Sequence, residues 1–245
     1  MKCVVLQPSY IPWRGVFDQI ERADTFVFYD DVQYDRRGYR NRNQIKTRNG
    51  KIWLTIPVSA RNNQVERTPI NKIDIVWDTN WAKAHLSSHR HAYSKAPFFR
   101  SYEPLLEEFY ARRDQKLADF TVDFTIALAK ELGLTKTRFV RSSELGIADG
   151  ARTDRLLKVL QLLGATHYIS GPSARGYIEE DKFAQANISL EYMDYDYEEY
   201  PQLYPPYDPF VSVLDLLFMM GPRAAQIFSQ RRAIDAQLRT GTSLF

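Results

Sequence analysis

Two apolar runs, Val4–Leu6 and Thr25–Tyr29, flank an amphipathic stretch near the start of the chain, and each run breaks into polar residues. That opening constrains the fold more than any other segment. The first run ends at Gln7-Pro8, and the second ends in Asp30-Asp31. Between them Pro12 is placed to open a helix, because its missing N–H costs nothing in a first turn. Val16, Phe17 and Ile20 then supply one apolar stripe through about Ala23. Strand, helix and strand in this order predict a right-handed βαβ unit over the first thirty residues. Strand ends in such a sheet lie beside one another at its carboxyl edge, where ligands bind.

The same alternation returns further along. Asn49-Gly50 is a hairpin signal that turns Gln44–Arg48 onto Ile52–Val58, a strand closed by Pro57. Ile73–Val76 is a short strand candidate. Helical stretches follow over Asn80–Tyr93, Phe98–Arg112 and Lys116–Leu132, the last stopping at Gly133. Phe139-Val140 marks a strand, Asp154–Leu163 a helix stopped by Gly164, and Thr166–Ser170 a strand. A turn, GPSARG (171–176), leads to a helix across Ile178–Ala186 and a strand at Ile188–Tyr192. Pro201, Pro205, Pro206 and Pro209 hold an extended segment before a helix at 210–220. The expected fold is α/β, a doubly wound, mostly parallel, Rossmann-like sheet forming a single domain over 1–245. A mainly helical insertion occupies 78–132.

Composition sets outer bounds. The chain has 245 residues, 44% hydrophobic and 26% charged, the balance of an ordinary globular protein large enough for a sizeable core. A net charge of +3 is too mild to imply nucleic-acid binding by itself. Its distribution is uneven: Arg36–Arg48 carries six cations, whereas Phe183–Pro222 carries seven acids and no Lys or Arg. Cys3 is the one cysteine, so no intramolecular disulfide forms and a reducing, cytoplasmic setting is expected. The apolar run of the N-terminus is too short for a signal peptide, and LDLLFMM (214–220) is too short to span a bilayer, so no membrane insertion is expected.

Several groups of residues carry chemistry. Gln7, Tyr10 and Trp13 lie on the turn into the first helix, where unpaired N–H groups suit phosphate or carboxylate. With Gly15 as its only glycine, this turn is neither a Walker loop nor a dinucleotide fingerprint. Asp30 and Asp31 end the second strand, where a carboxylate serves as general base, sugar-hydroxyl acceptor or turn former. No third acid nearby completes a metal set; Mg²⁺ has no ligand pattern of its own, and no metal is assigned. Arg40, Asn41, Arg42 and Lys46 belong to the basic stretch, and guanidinium forks match phosphate oxygens two at a time. His85 and His89 stand four apart on a helix without the glutamate of a zinc protease; His85 is the more credible acid–base group, against the plain reading of a polar helix surface. Gly171, Ser173 and Arg175 lie on the GPSARG turn, where backbone amides approach a ligand closely.

Taken in order, QPSYIPWRGVFDQI, DDVQY, NRNQIK, WLTIPV, WAKAH, the SKAPFF segment, ISGPSARGYI and VSVLDLLF resemble the WbqC-like protein family from residue 3 to about 220. The resemblance implies bacterial surface-polysaccharide (O-antigen) biosynthesis and a glycine or related acyl transferase acting on an amino sugar. It brings no residue-level catalytic assignment. The expected activity is transfer of an aminoacyl or acyl group onto the amine of a nucleotide-linked amino sugar. In it Asp30 or His85 takes the proton, Arg40, Arg42 and Lys46 hold phosphates, Tyr10 and Trp13 line the sugar, and GPSARG donates to an oxyanion. The donor is an activated acyl carrier, with a charged tRNA among the candidates, and a homodimer is a candidate assembly. Two alternatives stand beside it. One is a nucleotidyl transferase or ATP-dependent ligase, whose HxGH signature is replaced here by Trp13-Arg14-Gly15. The other is a non-catalytic RNA or nucleotide-sugar binding module.

Overall fold

The computed structural model describes residues 1–59 and 67–228. In chain order the elements are β1 (Lys2–Leu6), α1 (Arg14–Arg22), β2 (Thr25–Phe28), β3 (Arg42–Thr47), β4 (Gly50–Thr55), β5 (Val58–Ser59) and β6 (Asp74–Ile75). Three helices follow, α2 (Trp81–Tyr93), α3 (Phe99–Ala111) and α4 (Leu117–Glu131). The remainder is β7 (Arg138–Arg141), α5 (Arg152–Leu162), β8 (His167–Ser170), α6 (Glu180–Gln185), β9 (Ser189–Tyr192) and α7 (Val213–Met220).

Five strands make one parallel sheet in the order β7-β2-β1-β8-β9. Alternation along the strands sends side chains to two separate apolar clusters. Val4, Phe26 and Phe28 pack with Val16, Phe17 and Ile20 of α1, Phe120 and Phe124 of α4, and Leu214 and Leu217 of α7. Cys3, Val5, Val27 and Val140 pack instead with Leu156, Leu157 and Leu160 of α5 and Phe183 of α6. Each fully buried Val, Leu, Ile or Phe contributes roughly 1.5–3 kcal/mol, so both faces of the sheet hold it in place. The expected doubly wound α/β fold is therefore present.

The topology fixes where a ligand would sit. From β1 the chain winds outward to β2 and then β7, with its connections on the first face. It then crosses to β8 and β9 on the other side of β1, with α5 and α6 on the second face. Right-handed crossovers running in opposite directions place their helices on opposite faces, as found here. The winding reverses between β1 and β8, and the ladder joining them covers only Lys2–His167 and Cys3–Tyr168, which leaves their carboxyl ends unpaired at the switch point where such sheets have their ligand crevice.

Helix stops follow the sequence. Gly133 and Gly164 adopt φ of 72° and 70° after α4 and α5, and Leu134 N and Ala165 N close back on Ala129 O and Leu160 O. Several boundaries differ from expectation for identifiable reasons. Pro12 and Trp13 stay extended, so α1 begins at Arg14: Val213 N donates to Pro12 O, and Trp13 bridges to Ser212. The hairpin is longer than predicted on its first strand, pairing Arg42 with Thr55, and Val58 leaves it to pair with Ile75. The proline segment bends at 203–206 and turns at 209–210 instead of running extended, and α7 starts at Val213, where Ser212 Oγ accepts from Leu214 N.

Candidate functional site: the crevice between β1 and β8

The loop leaving β1 is held by the start of the basic hairpin. Arg40 Nη1 donates to Gln7 O at 2.8 Å and to Pro8 O at 3.3 Å. Tyr10 N donates to Tyr39 O, and Asn43 Nδ2 donates to Tyr10 O at 3.2 Å and Ile11 O at 2.9 Å. Ile11 needs that support, because its φ is 35°, a left-handed value that costs a β-branched residue about 1–3 kcal/mol. The basic hairpin thus reaches the carboxyl edge, as the sequence implied, but Arg40 Nη1 is taken up by main-chain carbonyls and its Nε is buried without a hydrogen-bond partner. Burial lowers its pKa to about 10, so it remains a cation at neutral pH. We expect Asn43→Ala to lose three hydrogen bonds, two of them to the strained loop, at about 2–3 kcal/mol of stability, measurable by urea unfolding.

Across the crevice, the residues after β8 form a 3-10 turn over Pro172–Gly176, with Ser173 and Arg175 exposed. Arg175 lies over the Tyr192 ring at 4.1 Å. Tyr195 links the two walls. Its ring meets Trp13 edge-on at 4.8 Å, and its hydroxyl stands 3.5 Å from where a Cβ on Gly171 would be. Trp13 covers the start of α1, since a Cβ on Gly15 would come within 2.3 Å of the indole. The indole also packs on Tyr197 and Phe210. Tyr195 was not among the expected site residues, although its position just past β9 offered the signal.

Asp30 and Asp31 have a different use. The Asp30 side chain is fully buried and accepts from Arg141 Nε (2.8 Å), Ser143 N (3.0 Å) and Ser143 Oγ (2.9 Å). Ser142 Oγ lies 3.2 Å from Asp30 and 2.6 Å from Asp31, so its single proton serves Asp31. Arg155 Nη2 completes Asp31 at 2.6 Å. The two carboxylates therefore tie β2 to the end of β7 and to α5.

His85 and His89 lie inside the protein, which corrects the reading of a polar helix surface. Tyr10 OH stands 2.9 Å from His85 Nδ1 and 2.5 Å from Tyr110 OH, which in turn is 3.1 Å from His89 Nε2. Burial pushes His85 down to about 4, against a backbone contact with Thr55, and pushes His89 down to about 3. Both rings are neutral at pH 7. Burial also raises Tyr10 and Tyr110, so both keep their protons. Asp30 and His85 share no partner.

The other expected ligand-binding residues of the basic stretch are likewise engaged by the chain itself. Arg42 donates to Gly38 O and Arg37 O and lies 4.5 Å over Trp53. Asn41 Nδ2 donates to Ile56 O. Lys46 is buried and donates to Gln202 Oε1 at 2.6 Å and to Pro206 O. Of the expected residues, Gln7, Trp13 and Gly171 stand beside the reversal between β1 and β8, with Tyr10 beneath the first wall, while Ser173 and Arg175 are exposed on the following turn, Arg175 over Tyr192 of β9. No group of three or more His, Cys, Asp and Glu side chains arranged to hold a metal occurs among the described residues.

The sequence model of the WbqC-like protein family matches residues 7–227, a span holding both crevice walls. The chain belongs to the WbqC-like protein family. A relative, the uncharacterized protein Rv1507c of Mycobacterium tuberculosis (strain ATCC 25618 / H37Rv), is 40% identical over 225 residues, covering 91% of this chain and 95% of the relative. No solved structure matches. No helix among the described residues of this WbqC-like protein is long and apolar enough to cross a membrane.

Proposed function

We propose that this WbqC-like protein is a transferase that binds a nucleotide-linked amino sugar between β1 and β8 and moves an aminoacyl or acyl group onto its amine, in surface-polysaccharide biosynthesis. The reading is supported by one observation: the strand order reverses between β1 and β8, and Gln7 and Gly171 directly follow those two strands. Doubly wound sheets bind nucleotides at such a reversal. Arg175 and the amides after Gly171 take the diphosphate, an anion suited to a guanidinium fork and close main-chain donors. Trp13 and Tyr195 offer flat apolar faces to a sugar ring, and Gln7 a side-chain amide to its hydroxyls. Arg40 and Asn43 hold the wall in shape without meeting the ligand.

A thermal-shift panel of UDP-glucosamine, ATP and acyl donors tests this. At about 100 times its dissociation constant a ligand adds about 2.7 kcal/mol, or about 5–10 °C for a chain of this size. UDP-glucosamine is expected to give that rise, and Arg175→Ala to remove most of it. A rise with ATP alone would oppose the reading in favour of a ligase. The full engagement of Asp30 and His85 favours a second reading, a nucleotide-sugar binding module without turnover. It predicts the same thermal shift with no acylated sugar formed when donors are supplied, which mass spectrometry of the sugar distinguishes.

A further inference from the structure

The face of the β3–β4 hairpin divides into two halves. At one end Lys46 donates to Gln202 and Lys51 pairs with Asp208 at 2.8 Å, so residues 202–208 cover that end. At the other end Trp53 is 43% exposed and Tyr39 is 48% exposed, their rings 5.6 Å apart. Arg42 lies against Trp53, with its guanidinium 4.5 Å from the ring centre and held by two carbonyls, so a flat cation and two flat rings are fixed together. Beside them Arg36 and Arg37 are exposed, and their guanidinium groups form no ion pair among the described residues, although Arg37 N donates to the Asp35 carboxylate at 2.9 Å. Fixed exposed aromatics with a stacked guanidinium and unneutralised arginines complement unpaired bases on a phosphate backbone.

We propose that this patch, Tyr39, Arg42 and Trp53 rimmed by Arg36 and Arg37, binds single-stranded RNA, with bases stacking on the two rings. The inference deepens the transferase reading by assigning its acyl carrier to a nucleic acid with a single-stranded end. Its binding test involves no chemistry and no nucleotide sugar, so either reading can fail while the other stands.

Fluorescence anisotropy of a labelled single-stranded RNA of roughly 12 nucleotides, titrated with the full chain at several salt concentrations, tests it. Saturable binding is expected, with affinity falling as salt rises. Trp53→Ala should weaken it about 5- to 150-fold, the range of one lost stacking partner, whereas Trp53→Phe should retain most of it. Arg36→Ala should lower the slope of log affinity against log salt by about 0.7. If Trp53→Ala fails to fold, Tyr39→Ala carries the same test. Absence of saturable binding, or Trp53→Ala and Tyr39→Ala binding as well as the parent, would overturn the proposal. So would a dimer seen by light scattering that Trp53→Ala dissociates, since the patch would then belong to a second copy.

Discussion

Replacing Asp30 by alanine is expected to lower stability by about 3 kcal/mol, the lower end for removing one partner of a buried ion pair. For a chain of this length that is about 6–12 °C in melting temperature. The carboxylate is fully buried and accepts three donors, so its loss leaves Ser143 N, Ser143 Oγ and Arg141 Nε facing a cavity. The cost stays near the lower end because Arg141 keeps Asp119 at 2.6 Å and is partly exposed. Asp30→Asn discriminates between a brace and a proton acceptor. A brace predicts a lowered melting temperature, because an amide brings its own N–H groups against three donors. A proton acceptor predicts an unchanged melting temperature with abolished turnover.

Acidification is expected to destabilise the protein from about pH 6.5 downward, well before carboxylates titrate. His85 and His89 have folded values near 4 and 3, below the ordinary 6.5 of an unfolded chain. Above pH 6.5 both states hold neutral rings and neither histidine contributes. Below it the unfolded chain takes up protons that the folded chain refuses, so stability falls with pH until the folded values are reached. Each ring contributes up to about 1.4 kcal/mol per pH unit across that window. Urea unfolding at pH 7.5 and pH 5 should therefore differ by about 4 kcal/mol. His89→Leu should roughly halve the difference, and a flat profile between these values would contradict the buried neutral pair.

Order and type of the elements were legible because strands and helices announce themselves locally, through apolar periodicity and through stops such as Gly133 and Gly164. The direction of polar side chains was not. Arg40 and Arg42 sit in a basic run, but their long stems let the guanidinium groups return to carbonyls of Gln7, Pro8, Gly38 and Arg37. A sequence records charge and leaves open which way it points. The histidines looked like a polar stripe because Tyr110 and Phe218, which pack on them, arrive with later helices. Asp30 and Asp31 find their partners more than a hundred residues later. One sign was available: Arg141-Ser142-Ser143 ends a strand as Asp30-Asp31 does, and the register sets Phe28 beside Arg141. Only the pairing of those two strands makes the match visible. The crevice residues were read more directly, since Gln7 and Gly171 follow their strands immediately and a parallel sheet brings such positions together.

Hydrogen–deuterium exchange with and without saturating UDP-glucosamine addresses the β1–β8 crevice most directly. Slowed exchange is expected at residues 7–13 and 171–177, with the amides of Ile52–Leu54 unchanged. Protection confined to other segments, or none at concentrations that saturate the thermal shift, would contradict a nucleotide-sugar site at the reversal of the sheet.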